Sequence, residues 1–436
     1  MSFSRYPSYK DSGVEWLGEV PGHWDVQPLY SSVVERDEPN KGMVEDNLLS
    51  LSYGRIVQKD ITSNDGLLPE SFETYQVVRP GDIVFRLTDL QNDKRSLRSA
   101  IVEETGIITS AYLAVAPCGP DSKYMSYLFR AYDTTKVFYS MGGGLRQSMK
   151  FADLKRMPTL LPPLPEQTQI AAFLDRETAK IDELVAEQRR LMELLKEKRQ
   201  AVISHAVTQG LNPHAPMKPS GIEWLGDVPA HWEVLPLKRV VSIPITDGPH
   251  ETPQFIDEGV PFVSAEAVSS GSINFSKVRA CISEEDNARY SLKYAPKLHD
   301  IYMVKSGATT GITAIVEDRT DFNIWSPLAV IRCNSGSVPH FVLNFMRSRH
   351  FLEAVTLNWS FGTQQNIGMG VIENLACTVP PLEEQMTIAQ FLKSETVKFD
   401  ILTAEAQRAI DLLQERRTAL ISAAVTGQID VRSVCA

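Results

Sequence analysis

A chain of 436 residues that is 43% hydrophobic and 22% charged has room for two to four domains with cores of their own. Its net charge of −10 argues against a free-standing nucleic-acid binder, which leaves a basic footprint. It argues less against a subunit that shares phosphate contacts with a basic partner. No apolar run reaches the roughly 20 residues of a membrane span, and the start, MSFSRYPSYKDSG, lacks a signal peptide's apolar core, so a cytoplasmic location is expected. Cys118, Cys281, Cys333, Cys377 and Cys435 show neither disulfide nor CxxC spacing, which predicts reduced thiols and no metal site.

In chain order, residues 12–29, SGVEWLGEVPGHWDVQPL, return at 220–237 as SGIEWLGDVPAHWEVLPL, an offset of 208 (220 − 12). Trp16, Leu17, Pro21 and Trp24 make a compact apolar turn, and burial preferences assign Trp24 and Trp232 to packing rather than to ligand stacking. Short apolar runs broken by Gly, Pro, Asn and Asp then predict strands at 47–57, 82–87, 99–102 and 111–117. A helix over 123–132 and the glycine-rich MGGGLRQSMKFADL at 141–154 follow.

From Pro162 the chain reads PPLPEQTQIAAFLDRETAKIDELVAEQRRLMELLKEKRQAVISHAVTQG, and from Pro380 it reads PPLEEQMTIAQFLKSETVKFDILTAEAQRAIDLLQERRTALISAAVTGQ. Aligned pairs such as Pro163 with Pro381 and Thr208 with Thr426 all lie 218 residues apart (381 − 163), so the chain is two copies of one unit. Pro165 and Glu166, or Glu383 and Glu384, suit a helix start, where amides lack partners and the dipole is positive. Ile170, Leu174, Ile181, Leu184, Leu191, Leu195 and Val202 predict a coiled-coil stripe. Ile388, Leu392, Phe399, Leu402, Ala406, Ala409, Leu413 and Leu420 repeat it. About 40 residues make a rod of roughly 60 Å, and ordinary core helices seldom run that long unbroken. Its stripe needs a partner, which the other copy supplies.

Between the first rod and the second domain, GLNPHAPMKPSG at 210–221 has the proline and polar content of a linker. The second domain predicts strands at 261–265, 300–307, 313–316 and 326–333, a helix over 339–353, and then SFGTQQNIGMGVI at 360–372. Asp82 aligns with Asp300, Gly144 with Gly362 and Gln147 with Gln365 at the same offset of 218 (300 − 82), whereas the loops between these anchors diverge. Related modules doing one kind of job on different targets diverge in that way. The expected fold is α+β. Mixed α/β domains at 1–160 and 222–378 alternate with long helices at 161–210 and 379–430, joined by a linker at 211–221, which makes two pseudo-repeated halves.

No P-loop, GxSxG or HExxH motif is present, and His23 and His231 lie in the tryptophan turn, where packing is the simpler role. GGG at 142–144 and GATTG at 307–311 open no dinucleotide motif. Polar and basic residues cluster in corresponding loops. In domain one these are Arg86, Thr88, Asn92, Lys94, Arg95 and Arg98, with Gly144, Arg146, Gln147 and Lys150 at the glycine run. In domain two they are Lys305, Ser306, Thr309 and Thr310, with Gly362, Gln364, Gln365 and Asn366. Arg, Asn and Gln suit base edges, and Lys and Thr suit phosphates. A solvated loop explains any one of these residues; the clusters together point to nucleic acid.

The SGxEWLGxxPxHWxV segment, the GDI or HDI strand, the GxxQ loop and the PPLxEQxxIAxFL helix start, each present twice, resemble the specificity subunit of type I restriction-modification systems over nearly the whole chain. The resemblance implies two target recognition domains, each reading one half of a split double-stranded DNA site. It also implies antiparallel spacer helices that dock two DNA adenine methyltransferase subunits and, in the full enzyme, restriction and translocase subunits. Catalysis, S-adenosylmethionine, ATP and Mg would then belong to partners, with no catalytic residue, metal or cofactor in this chain. RLTDLQNDKRSLRS departs from the short loop KSGATTG, so Arg86 to Arg98 do not map position by position. Two other readings compete with this one: a coiled-coil scaffold or adaptor without a DNA role, and a self-contained DNA enzyme, for which no paired-carboxylate-and-lysine spacing is present.

Overall fold

The computed structural model describes residues 3–61, 69, 71–88, 97–141, 149–268, 271–359 and 365–433. The chain divides into two compact units, Met1–Gln188 with Gln407–Ala436, and Arg189–Ala406. The division falls inside both long helices, Leu164–Gln209 and Leu382–Val425. Each unit therefore holds one α/β domain, the start of one long helix and the end of the other.

The first unit is built on four antiparallel strands in the order Val33–Glu35, Leu113–Pro117, Ile83–Phe85 and Ser99–Ile101. The second repeats that order with Thr246–Asp247, Leu328–Ile331, Ile301–Val304 and Thr313–Ile315. Ile83–Phe85 and Ile301–Val304 are buried at every position, which is why both read as unbroken apolar runs rather than alternating ones. The aspartate before each is buried too, and a buried carboxylate needs a cation. Arg36 grips Asp82 with two hydrogen bonds of 3.0 and 2.8 Å, and Arg332 grips Asp300 with two of 2.7 Å. The arginines lie just past the ends of non-equivalent strands, Val33–Glu35 and Leu328–Ile331, so the two copies keep the aspartate and draw its partner from different places.

The tryptophan turn is the joint between domain and helix. Trp24 and Trp232 are fully buried, as expected. The Trp24 indole donates to Glu166 at 3.1 Å, and His23 Nε2 lies 2.7 Å from the same carboxylate. In the second unit Trp232 donates to Glu384 at 3.0 Å, with His231 Nε2 at 2.8 Å. The next residue makes a second bolt. Gln167 accepts from the Asp121 amide at 2.9 Å and donates to the Pro162 carbonyl at 2.8 Å; Gln385 accepts from Val338 and donates to Pro380 at 2.8 and 2.9 Å. The strand after each tryptophan, Asp25–Pro28 or Glu233–Pro236, pairs with the strand leading into the helix, Pro158–Leu161 or Ala376–Val379.

Within the first unit, Ile170, Phe173 and Leu174 share a core with Ile421, Ala424 and Val425, and Arg417 Nε lies 3.4 Å from Asp182. Within the second, Ile203, Ala206 and Val207 share a core with Ile388, Ala389 and Leu392, and Arg199 meets Asp400 at 2.5 Å. In both, residue numbers rise on one helix as they fall on the other, so the segments run antiparallel. The seam differs in part from the predicted stripe. Leu184, Leu191 and Leu402 are 49, 43 and 46% exposed, whereas Val185 and Ile410 are buried. The seam in the first helix passes from Leu174 through Thr178 and Ile181 to Val185. A hydroxyl can lie there because Thr178 donates to the Leu174 carbonyl at 2.7 Å, and a stripe of apolar residues alone misses that step.

Two further expectations are corrected. The segment 47–57 is a hairpin, Leu49–Ser52 with Arg55–Gln58, turned by Tyr53 and Gly54 at φ 46° and 76°, the left-handed pair that a tight hairpin turn requires. The predicted helix over 339–353 is two helices, Pro339–Met346 and Arg349–Leu357, because Ser348 leaves the helical conformation and caps the second one from its hydroxyl.

Both long helices end on a glycine at the joint of the unit in which they terminate. Gly210 and Gly427 have φ of 78° and 74°, and a Cβ at Gly427 would collide with Pro21 and stand 3.3 Å from Trp24. Gly427→Ala is expected to destabilise the chain by about 2–3 kcal/mol, backbone strain and clash combined. Gly13→Ala, with φ of 71° but open space around it, should cost about 1 kcal/mol. Denaturant midpoints of the two variants check the difference.

Candidate nucleic-acid interface

In the second unit the two predicted clusters meet. The strand Ile301–Val304 runs into the loop 305–310, and the segment 365–367 crosses it. The Gly307 amide donates to the Gln365 carbonyl and the Ile367 amide to the Lys305 carbonyl, both at 2.9 Å, and Ser306 bridges Asn366. Thr310 Oγ1 donates to the Gly307 carbonyl at 2.7 Å and lies 3.4 Å from that of Gln365. Gly307, at φ 99°, takes a turn that a side chain would strain. Backbone bonds thus fix the loop, while the side chains of Gln365 and Asn366 are exposed on top of it. Thr310 serves the turn itself, and Thr309 is half-buried. Gly362 and Gln364 lie outside the described residues.

Beside this loop stands a charged group that sequence reasoning missed. Asp247, on the edge strand, is buried, with Lys293 Nζ 2.6 Å from one oxygen and Lys305 Nζ 3.3 Å and His250 Nε2 3.0 Å from the other. Burial, the largest single influence, raises the Asp247 carboxyl, but Lys293 and Lys305 together outweigh it and hold the group below the usual carboxylate range. Apart from His250, three residues on from Asp247, the partners come from separate segments of chain, so no local motif announces the group. The only signal was Lys305, placed in the interface as a lone loop lysine.

In the first unit Arg86 and Thr88 follow the strand Ile83–Phe85 and are half-buried, and Lys150 is exposed ahead of the short helix Phe151–Leu154. Arg98 was expected in the interface and is instead fully buried. Its guanidinium donates to the Thr88 carbonyl at 3.1 Å and to the Tyr139 hydroxyl at 3.3 Å, and its amide donates to the Asp133 carboxylate. The physical reason is position: Arg98 leads directly into the buried strand Ser99–Ile101, so its side chain turns inward and ties the two ends of the loop together. Asn92, Lys94, Arg95, Gly144, Arg146 and Gln147 lie outside the described residues. Among the described residues no group of His, Cys, Asp and Glu is arranged to hold a metal, and no helix is long and apolar enough to cross a membrane.

Arg98→Ala is expected to destabilise the chain by about 2 kcal/mol or more, since it empties a fully buried side-chain site and takes the donor from the Thr88 carbonyl and the Tyr139 hydroxyl. Gln365→Ala should change stability by less than about 0.5 kcal/mol, because its backbone carries the loop. Chemical denaturation of both variants tests this assignment of roles.

Comparison with known proteins gives the interface a family context. Residues 229–410 match the type I restriction modification DNA specificity domain. The putative type I restriction enzyme MjaX specificity subunit of Methanocaldococcus jannaschii is 22% identical over 96% of both chains. The type I restriction enzyme MjaVIII specificity subunit of the same organism is 25% identical over 72% of each. Among solved structures, a chain described under complex assembly and conformational transition of the type I R-M system superposes with a TM-score of 0.67 at 19% identity, covering 93% of this chain and 98% of that one. The HsdS subunit from Thermoanaerobacter tengcongensis gives a TM-score of 0.53 at 18% identity, over 94% and 98% of the chains. The specificity domain is thus matched over residues 229–410, and the duplicated α+β chain shares the fold of solved type I restriction-modification specificity subunits.

Proposed function

We propose that the chain is the sequence-recognition subunit of a type I restriction-modification enzyme, each α/β domain reading one half of a bipartite site in double-stranded DNA. The observation that carries this is the recurrence of one four-stranded scaffold in both units, each bolted to a long helix by the same Trp, His, Glu and Gln set, while the loops on the scaffold differ. A fixed frame with exchangeable loops suits readers of unlike half-sites. In the second unit Gln365 and Asn366 present amides able to pair with a base edge, and Lys305 and Ser306 stand below them for backbone contacts. Corresponding roles fall to Arg86, Thr88 and Lys150 in the first unit, together with Asn92, Lys94, Arg95, Arg146 and Gln147.

The chain works with the other subunits of the system. Two DNA adenine methyltransferase subunits would dock on the helices, and restriction and translocase subunits would complete the enzyme. What supports this is apolar surface left outside the seam: Leu184 in the first unit, and Leu191, Leu194, Ile401 and Leu402 in the second, are exposed on otherwise polar helices. Methylation and cleavage, with S-adenosylmethionine, ATP and Mg, would reside on those partners in the cytoplasm. Partner lysines and arginines would also offset the acidic body of this chain at the DNA.

The test is selection of bipartite duplexes from a library by the chain bound to its methyltransferase. Replacing residues 1–160 with the corresponding domain of a relative should change one half-site and leave the other and the spacer intact. Gln365→Ala should lose about 1–3 kcal/mol of affinity, confined to the half read by the second domain. A wild-type complex with no sequence preference would favour the scaffold reading instead.

A further inference from the structure

Asp247 occupies an unexpected place for a carboxylate. If loop 305–310 and segment 365–367 face DNA, as the preceding reading holds, a negative charge beside them repels the phosphates that Lys293 and Lys305 would attract. It is nonetheless built in firmly. Thr246 and Asp247 pair with Val330 and Ala329 in the sheet, and the next residue, Gly248, packs so tightly on the Ile324 carbonyl that no Cβ would fit. Lys293, at the end of the helix Glu284–Ser291, also donates to the Gly248 carbonyl at 3.1 Å, which fixes the ammonium on two acceptors. The Lys305 side chain is only 13% exposed, whereas that of Lys293 is 48% exposed. Two ammoniums and one carboxylate leave a single positive charge where two would otherwise act.

We propose that Asp247 is a specificity-setting positioning residue: it holds Lys293 and Lys305 beside the recognition loop and cancels one of their charges, suppressing binding to DNA of any sequence. The argument is one of ratios. A free ammonium here reaches a phosphate on any duplex, whereas the paired one engages only once the loop has seated on its bases, so removing the carboxylate strengthens wrong sites more than right ones. An ammonium already paired with a carboxylate contributes less to the attraction shared by every duplex. It remains placed for a phosphate once Gln365 and its neighbours have seated on the correct bases.

The experiment uses the full chain in complex with its methyltransferase and two duplexes: the site selected by the wild-type complex, and the same duplex with the half read by the second domain scrambled. Binding is measured from 50 to 200 mM salt. Asp247→Asn keeps the shape and removes the charge. It should tighten binding to the scrambled duplex at low salt and lower the ratio of selected to scrambled affinity. It should also steepen the slope of log affinity on log salt by about one, an extra factor of about 3.5 over that range. Lys293→Gln should flatten the slope by about one. The double variant carries the wild-type local charge and should restore the wild-type slope, which a merely structural loss at Asp247 would not do. Unchanged ratio and slope in Asp247→Asn would overturn the proposal. If that variant does not fold, an unchanged slope in Lys293→Gln overturns it alone. A wild-type complex without sequence preference would instead refute the recognition reading on which the proposal rests.

Discussion

A carboxylate at the start of each long helix receives the indole N–H of a buried tryptophan, and the rest of each unit depends on that bond. A buried indole N–H without an acceptor costs about 1–3 kcal/mol, and a helix start favours a negative side chain, so Glu166 and Glu384 meet both demands at once. The histidine beside each tryptophan closes on the same carboxylate, and the following glutamine ties the helix to the domain's own helix by its first amides. With two side-chain bolts added to the strand pairing, the domain is fixed on the helix rather than hinged to it. A reading head that swivelled would lose the register between the bases it reads and the rod that carries it.

The same economy of parts explains how an acidic chain serves DNA. Charge is managed locally: Asp82 and Asp300 are neutralised inside the sheets by arginines, and Asp247 tempers two lysines at the loop. The net charge of −10 therefore says little about the field at the recognition loops and more about the surface left for partners.

Much of this was legible in the sequence because the duplication is nearly free of gaps where the joints lie. The tryptophan turns, both long helices and the central strands follow from repeats and apolar runs, and the meeting of 305–310 with 365–366 was foreshadowed by two clusters in one domain. What escaped was set by tertiary contact. Thr178 lies in the seam because its hydroxyl finds its own helix, so counting apolar residues placed Leu184 there instead. Arg98 looks like any loop arginine until the strand after it turns the side chain inward. Asp247 and Lys293 are separated by dozens of residues and share no motif, so only the folded chain brings them together.

If the joints fix each head on its helix, helix length sets the spacing of the two half-sites. Adding seven residues, two turns in phase with the stripe, to both helices lengthens the rod by about 10 Å, or about three base pairs. Methylated adenines mapped in a host expressing this variant with its methyltransferase should show both half-sites unchanged and a spacer longer by about three base pairs. An unchanged spacer, or altered half-sites, would contradict the account.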